Sequence, residues 1–181
     1  MTIRNTKNGW GATSRFFHWG GAAVILYLLI HGFWMTEFAA RDARLGHYTT
    51  HASAGYALIA FMLLRLLWRW MNEVPALPAD TPRWERIAAH AAYWGLYLLT
   101  LAASVSGWAL AGTFRRPLDS FFGLFSVPAL VAGENRGLHS ALERTHQLLS
   151  WTLALLVVVH VASAFWHWRW KKDDVMQRML R

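Results

Sequence analysis

The chain has 181 residues, of which 55% are hydrophobic and 15% charged; its net charge is +8 and it has no cysteine. A soluble domain carries about 25% charged residues, so this chain is short of the polar surface that water requires. The missing cysteines exclude disulfides, thiolate metal sites, cysteine-held iron–sulfur clusters and cysteine nucleophiles. The excess positive charge lies at the ends of apolar runs and indicates lipid headgroups rather than nucleic acid. Twelve tryptophans fit the same picture, because Trp collects where a buried ring can keep its N–H wet.

Crossing a bilayer takes about 20 predominantly apolar residues in a helix. The first such run covers residues 16–35. A basic start before an apolar run is also the pattern of a cleaved signal peptide. This run is longer than a signal core and lacks a clear Ala-x-Ala site, so it is read as a span. The second run covers residues 51–70, after which Pro75, Pro78 and Pro82 break the chain. The third covers 87–111. Residues 113–145 form the longest connection, with Pro117, Pro128 and an apolar run from Phe121 to Phe125, and are expected to fold back onto the membrane surface. The fourth run covers 146–168. There is no low-complexity segment and no repeat. The fold class is all-α: one domain, residues 1–181, folded as a membrane four-helix bundle.

Lys and Arg divide unevenly between the two sides. The N-terminal segment, the second connection and the C-terminus together carry twelve, and the other two connections carry six. The positive-inside rule puts both termini in the cytoplasm.

Nine histidines are present. A lone His is ordinarily a polar residue at a helix end or a satisfied buried imidazole. Within a span an ionisable group is expensive and marks a site or a partner. His146 and His160 are fourteen residues apart on one helix. That spacing returns the side chain to within roughly 40° of its start and separates the two by roughly 21 Å along the axis. One metal would want both ligands about a turn apart; fourteen residues suit two stacked cofactors, one near each leaflet. If these are haems, each iron needs a second axial ligand, and depth selects it. His18 opens span one on the side where His160 lies, and His51 opens span two beside His146. The pairs are His18 with His160 and His51 with His146; the crossed pairs would require a haem to span the membrane. Without cysteine, any haem is held non-covalently. Gly20, Gly21 and Ala22, Ala52, Ala54 and Gly55, and Ala162 and Ala164 follow the ligands. Small residues there let a macrocycle approach, or simply let helices pack.

His47 lies one turn before His51 in the polar turn and competes with it as a ligand; His51 is preferred because it lies within the span. His31 is thirteen residues after His18, about 140° off its face, and is not expected to be a ligand. His139 and His167 extend the stripe on the fourth helix by seven residues each way. His167 would lie about 10 Å beyond His160, where a substrate could approach the inner cofactor or where an imidazole simply meets water. His90 lies near the cytoplasmic start of span three.

Arg15-Phe16-Phe17-His18-Trp19, His51-Ala52-Ser53-Ala54-Gly55, Arg65-Leu66-Leu67-Trp68-Arg69, and His146 with His160 fourteen later resemble the bacterial cytochrome b561 family in order over nearly the whole chain. The resemblance implies a four-helix bundle in the bacterial inner membrane. It also implies two b haems, ligated through iron at His18, His51, His146 and His160. The activity implied is an oxidoreductase that takes electrons from periplasmic superoxide and passes them to ubiquinone. His167, and less strongly His90, match positions of a quinone site. Arg115 and Arg116 on the long outer connection could steer a small anion, or only touch headgroups. A second reading is an electron-relay and anchor subunit for a dehydrogenase or hydrogenase partner. The short termini and the lack of a further domain favour independence. A third is a transporter bundle built around the histidines, but two depth-matched pairs suit a single midplane site poorly.

Overall fold

A computed structural model describes residues 2–78 and 80–180; Arg181, which entered the charge balance, lies outside them. Four long helices dominate: α1 (Ala12–Glu37), α2 (Arg44–Trp70), α3 (Arg83–Ala111) and α4 (Arg136–Trp166). A single π-helical turn, His167–Lys171, prolongs α4, and a short α5 (Gln177–Leu180) follows. Each of the four is long and apolar enough to cross a membrane. Most of their large apolar side chains are exposed on the outside of the bundle, as a lipid-facing surface requires.

The helices outrun the apolar windows at their N-terminal ends, because their polar first turns are helical too. α4 begins ten residues before His146, where Asn135 caps it by accepting from the Leu138 N–H at 3.0 Å. His146 is therefore inside α4 rather than at its opening, and His139 is on the same helix. α2 likewise begins at Arg44, so His47 belongs to the helix and not to a polar turn.

The α1–α2 pair, the α2–α3 pair and the α3–α4 pair pack along each other, whereas α1 and α4 do not. The tightest core is Leu58 and Met62 of α2 with Tyr97 of α3, flanked by Val24, Ile25 and Leu28 of α1. Glycines set the approach of the helices. A Cβ at Gly20 would stand 3.0 Å from the Phe61 ring, and one at Gly95 would stand 3.1 Å from Leu156. Gly20 and Gly21 face Phe61 and Arg65 of α2, so these small residues serve helix packing. The seam between α1 and α4 is left open. Long side chains bridge it, among them Phe33 against Trp151 at 6.0 Å, and an apolar cleft lined by Leu26, Val157, Val161 and Phe165 opens along it.

The long connection is ordered. It forms a β-hairpin, β1 (Ser120–Phe121) with β2 (Phe125–Ser126). The tip takes positive φ at Phe122 (49°) and Gly123 (77°). The hairpin is docked on α2 rather than only lying on a surface. Ser53, fully buried, meets Ser120 O at 2.7 Å and accepts from the Phe122 N–H at 3.1 Å; Tyr56 donates to Leu118 O at 2.7 Å. At the other end the termini close over the α2–α3 loop: Arg178 donates to Ala76 O at 2.7 Å and Asn5 to Glu73 O at 2.7 Å.

Candidate functional site

Two histidine pairs face each other inside the bundle at two levels. Toward the end that carries the termini, His18 of α1 and His160 of α4 have ring centroids 6.1 Å apart. Toward the hairpin end, His51 of α2 and His146 of α4 have centroids 6.2 Å apart. All four rings are partly buried. A metal–imidazole bond of about 2.0–2.1 Å, with the ring centre about 1.1 Å behind the nitrogen, puts two trans imidazoles about 6.3 Å apart. Both gaps are therefore the size of one metal ion, with a flat group between the rings.

The remaining ring nitrogens supply a second test. A ligating imidazole needs its other N–H held by an acceptor, which fixes the tautomer. His146 Nδ1 donates to Ala103 O at 2.9 Å, with Ser106 Oγ at 3.2 Å, so its Nε2 is left as the donor atom. Gly107 makes room for this ring, since a Cβ there would stand 2.9 Å from His146 Cε1. Gly32 does the same for His51, at 3.1 Å. Among the described residues His51 Nδ1 is buried without a partner. His18 Nδ1 lies 3.4 Å from Arg65 Nη2. The spacing of both pairs fits a haem iron held between imidazoles, and of the ring nitrogens named here that of His146 is held by a carbonyl as a ligand's would be.

The other histidines divide by place. His31 is stacked 5.9 Å from His51 and has its Nε2 3.4 Å from His47 Nδ1, so these two join His51 and His146 in a group of four imidazoles toward the hairpin end. Neither His31 nor His47 has its ring centroid against His146. His139 bonds through Nδ1 to Thr113 Oγ1 at 2.8 Å, which ties the start of α4 to the end of α3. His167, at the π-helical turn, bonds through Nδ1 to Asp173, and beside it Lys171 pairs with Glu85. His90 is on α3, edge-on to Tyr93 at 6.3 Å. Among the described residues no hydrogen bond or ring contact joins it to His167. Arg115 and Arg116 are both exposed, and Arg115 stands 4.0 Å from Glu134.

Sequence reasoning missed Ala103, Ser106, Gly32 and Gly107, which hold or accommodate the His146 and His51 rings from neighbouring helices. It also missed Asp173. A glycine inside a spanning helix is a signal of close approach, but what approaches is set by the neighbouring helix. Arg65 carried its own signal, as a charge within a span.

Residues 9–181 match the family model for prokaryotic cytochrome b561. The chain is 34% identical to "Cytochrome b561 homolog 2" of Escherichia coli (strain K12), over 99% of this chain and 95% of that protein. It is 28% identical to "Probable superoxide oxidase CybB" of Yersinia pestis, over 90% of each. With "Cytochrome b561 homolog 1" of Escherichia coli (strain K12) it shares 27%, over 72% of this chain and 73% of that one. The paired histidines and four apolar helices are thus those of a multi-pass membrane electron-transfer protein that binds b-type haem, and the chain belongs to the prokaryotic cytochrome b561 family.

Proposed function

We propose that the protein is a di-haem cytochrome of the bacterial inner membrane that carries single electrons from periplasmic superoxide to ubiquinone. The observation that supports it most is the placement of two facing imidazole pairs at two levels, with one member of each on α4. The name of the Yersinia pestis relative, a probable superoxide oxidase, supports the donor, and the charge balance supports cytoplasmic termini.

His18 with His160 would hold the inner haem and His51 with His146 the outer one. Bound haem supplies a one-electron iron couple. Two imidazoles on each iron leave no open coordination position for oxygen, so the chain's residues favour electron transfer over oxygen chemistry. Ala103 keeps His146 in the tautomer that ligates through Nε2. At the inner face, Asp173 accepts from His167 Nδ1, so His167 Nε2 would pass a proton to a quinone oxygen only after taking one up from the cytoplasmic side. Reduction of one ubiquinone takes two electrons and two protons, so two superoxide ions are oxidised to two O₂.

The experiment generates superoxide enzymatically and follows haem reduction by stopped flow, with and without ubiquinone. Reduction by superoxide and reoxidation by quinone is the expected result. If superoxide fails and a co-purified dehydrogenase or hydrogenase succeeds, the protein is a relay subunit.

A further inference from the structure

Arg65 is a guanidinium inside the bundle, in the second half of α2. A buried charge needs a counter-charge or a full set of acceptors. Its surroundings are short of both. Nη1 is 3.5 Å from where a Cβ of Gly21 would stand, Nη2 is 3.4 Å from His18 Nδ1, and the guanidinium lies 5.2 Å from the Tyr97 ring centroid, with a hydrogen bond to the Tyr97 hydroxyl that offers it one acceptor and no counter-charge. Among the described residues no carboxylate pairs with Arg65: the acids at this end include Glu85, Asp173 and Asp174, and each of these is engaged by Lys171, His167 or Arg178.

The contact between Arg65 and His18 is also incompatible with the proposed ligation. A neutral imidazole that coordinates through Nε2 keeps its proton on Nδ1. His18 Nδ1 then donates, and cannot accept from Arg65 Nη2. Occupation of the His18–His160 site therefore leaves the planar fork of Arg65 beside the cofactor with no acceptor on His18. That fork matches a carboxylate through two parallel N–H···O bonds.

We infer that Arg65, backed by the Tyr97 ring, is a carboxylate-binding site inside the bundle, and that its occupant is a propionate of the haem held by His18 and His160. The inference rests on the di-haem reading above. Arg65 is a positioning residue: it orients the macrocycle and places positive charge beside the inner iron, which favours the reduced state.

The test uses the purified haem-loaded chain and its Arg65→Met, Arg65→Lys and Tyr97→Phe variants. Two readouts independent of turnover are taken: the resonance Raman bending band of the propionates, which reports their hydrogen bonding, and the midpoint potentials from an optical redox titration. In Arg65→Met the propionate band is expected to move and the inner-haem potential to shift downward, with the outer haem unchanged. Arg65→Lys keeps the charge but loses the fork, so the band moves while the potential stays nearer the wild type. Tyr97→Phe keeps the ring behind the guanidinium but removes the hydroxyl bonded to it, so it should move the band less than either Arg65 variant does. Should Arg65→Met fail to accumulate, Arg65→Lys decides alone. An unmoved band in an Arg65 variant that still holds the inner haem overturns the Arg65 site and leaves the di-haem reading standing; a lipid phosphate on Arg65 would give that result. A wild-type chain with no haem on His18 and His160 overturns both.

Discussion

The imidazoles of His51 and His146 stand with ring centroids 6.2 Å apart and planes at 88°, on two helices, α2 and α4, that do not pack along each other. The two side chains reach one another across the bundle at a distance that would let both imidazoles hold one metal ion between them. The equivalent relation between His18 and His160, at 6.1 Å, occurs across the open seam between α1 and α4. Two facing pairs predict two six-coordinate low-spin haems. Loss of one ligand should remove one haem and spare the other, so His160→Ala and His146→Ala should each lose about half of the haem. A pyridine haemochrome assay measures this. If His47→Ala removes a haem and His51→Ala does not, the ligand on α2 is misassigned.

Gly107 tests the outer site without touching a ligand. A methyl group there would press on His146, at 2.9 Å from Cε1 and 3.2 Å from Nδ1. Either the ring turns, which breaks its bond to Ala103 O, or α3 and α4 separate. Gly107→Ala should therefore deplete the outer haem and leave the inner one. Gly32→Ala, at 3.1 Å from His51, should have the same direction and a smaller effect. Redox titration of each variant tells the two haems apart.

Ser53 fastens the β-hairpin. Ser53→Ala leaves the Ser120 carbonyl and the Phe122 N–H without their partner. An orphaned buried polar group costs about 1–3 kcal/mol, so local opening of the hairpin should rise roughly tenfold or more. Hydrogen exchange at the Phe122 amide reads this opening, and an unchanged rate would mean that Tyr56 holds the hairpin without Ser53.

If ubiquinone is reduced beside His167, as proposed, His167→Ala and Asp173→Asn should slow its reduction without loss of haem. A positioned acid–base group contributes about 10²–10⁴-fold, so the fall in reoxidation rate should exceed tenfold for His167→Ala. Asp173→Asn should fall less, because it only loosens the hold on Nδ1. Stopped-flow reoxidation by a soluble ubiquinone analogue measures both.

The two outer arginines should differ. Arg115 stands within 4.0 Å of Glu134, which cancels part of its field, whereas Arg116 has no ion pair among the described residues. Arg116→Ser should slow haem reduction by superoxide more than Arg115→Ser does, and the difference should fade as salt rises. Spectra should be unaffected.

The number of spans and the position of the histidine stripe are local properties, and the amino-acid sequence determines them alone. An apolar run of about 20 residues is long enough to cross a bilayer, and a helix satisfies its backbone there within the one segment. Helical periodicity then decides which histidines share a face. Run length and period therefore suffice for the four helices and for the stripe through His146 and His160. They do not suffice for the helix ends, because polar first turns such as 136–145 are helical only once Asn135 caps them and α3 packs against them. Nor do they give the hairpin, which depends on Ser53, a residue more than sixty positions away from Ser120. Tertiary structure alone decided which groups meet the imidazoles: Ala103 and Gly107 from α3, Gly32 and Arg65 from α1 and α2. Those contacts come from the crossing of helices, and no period within one helix encodes what a neighbouring helix will present.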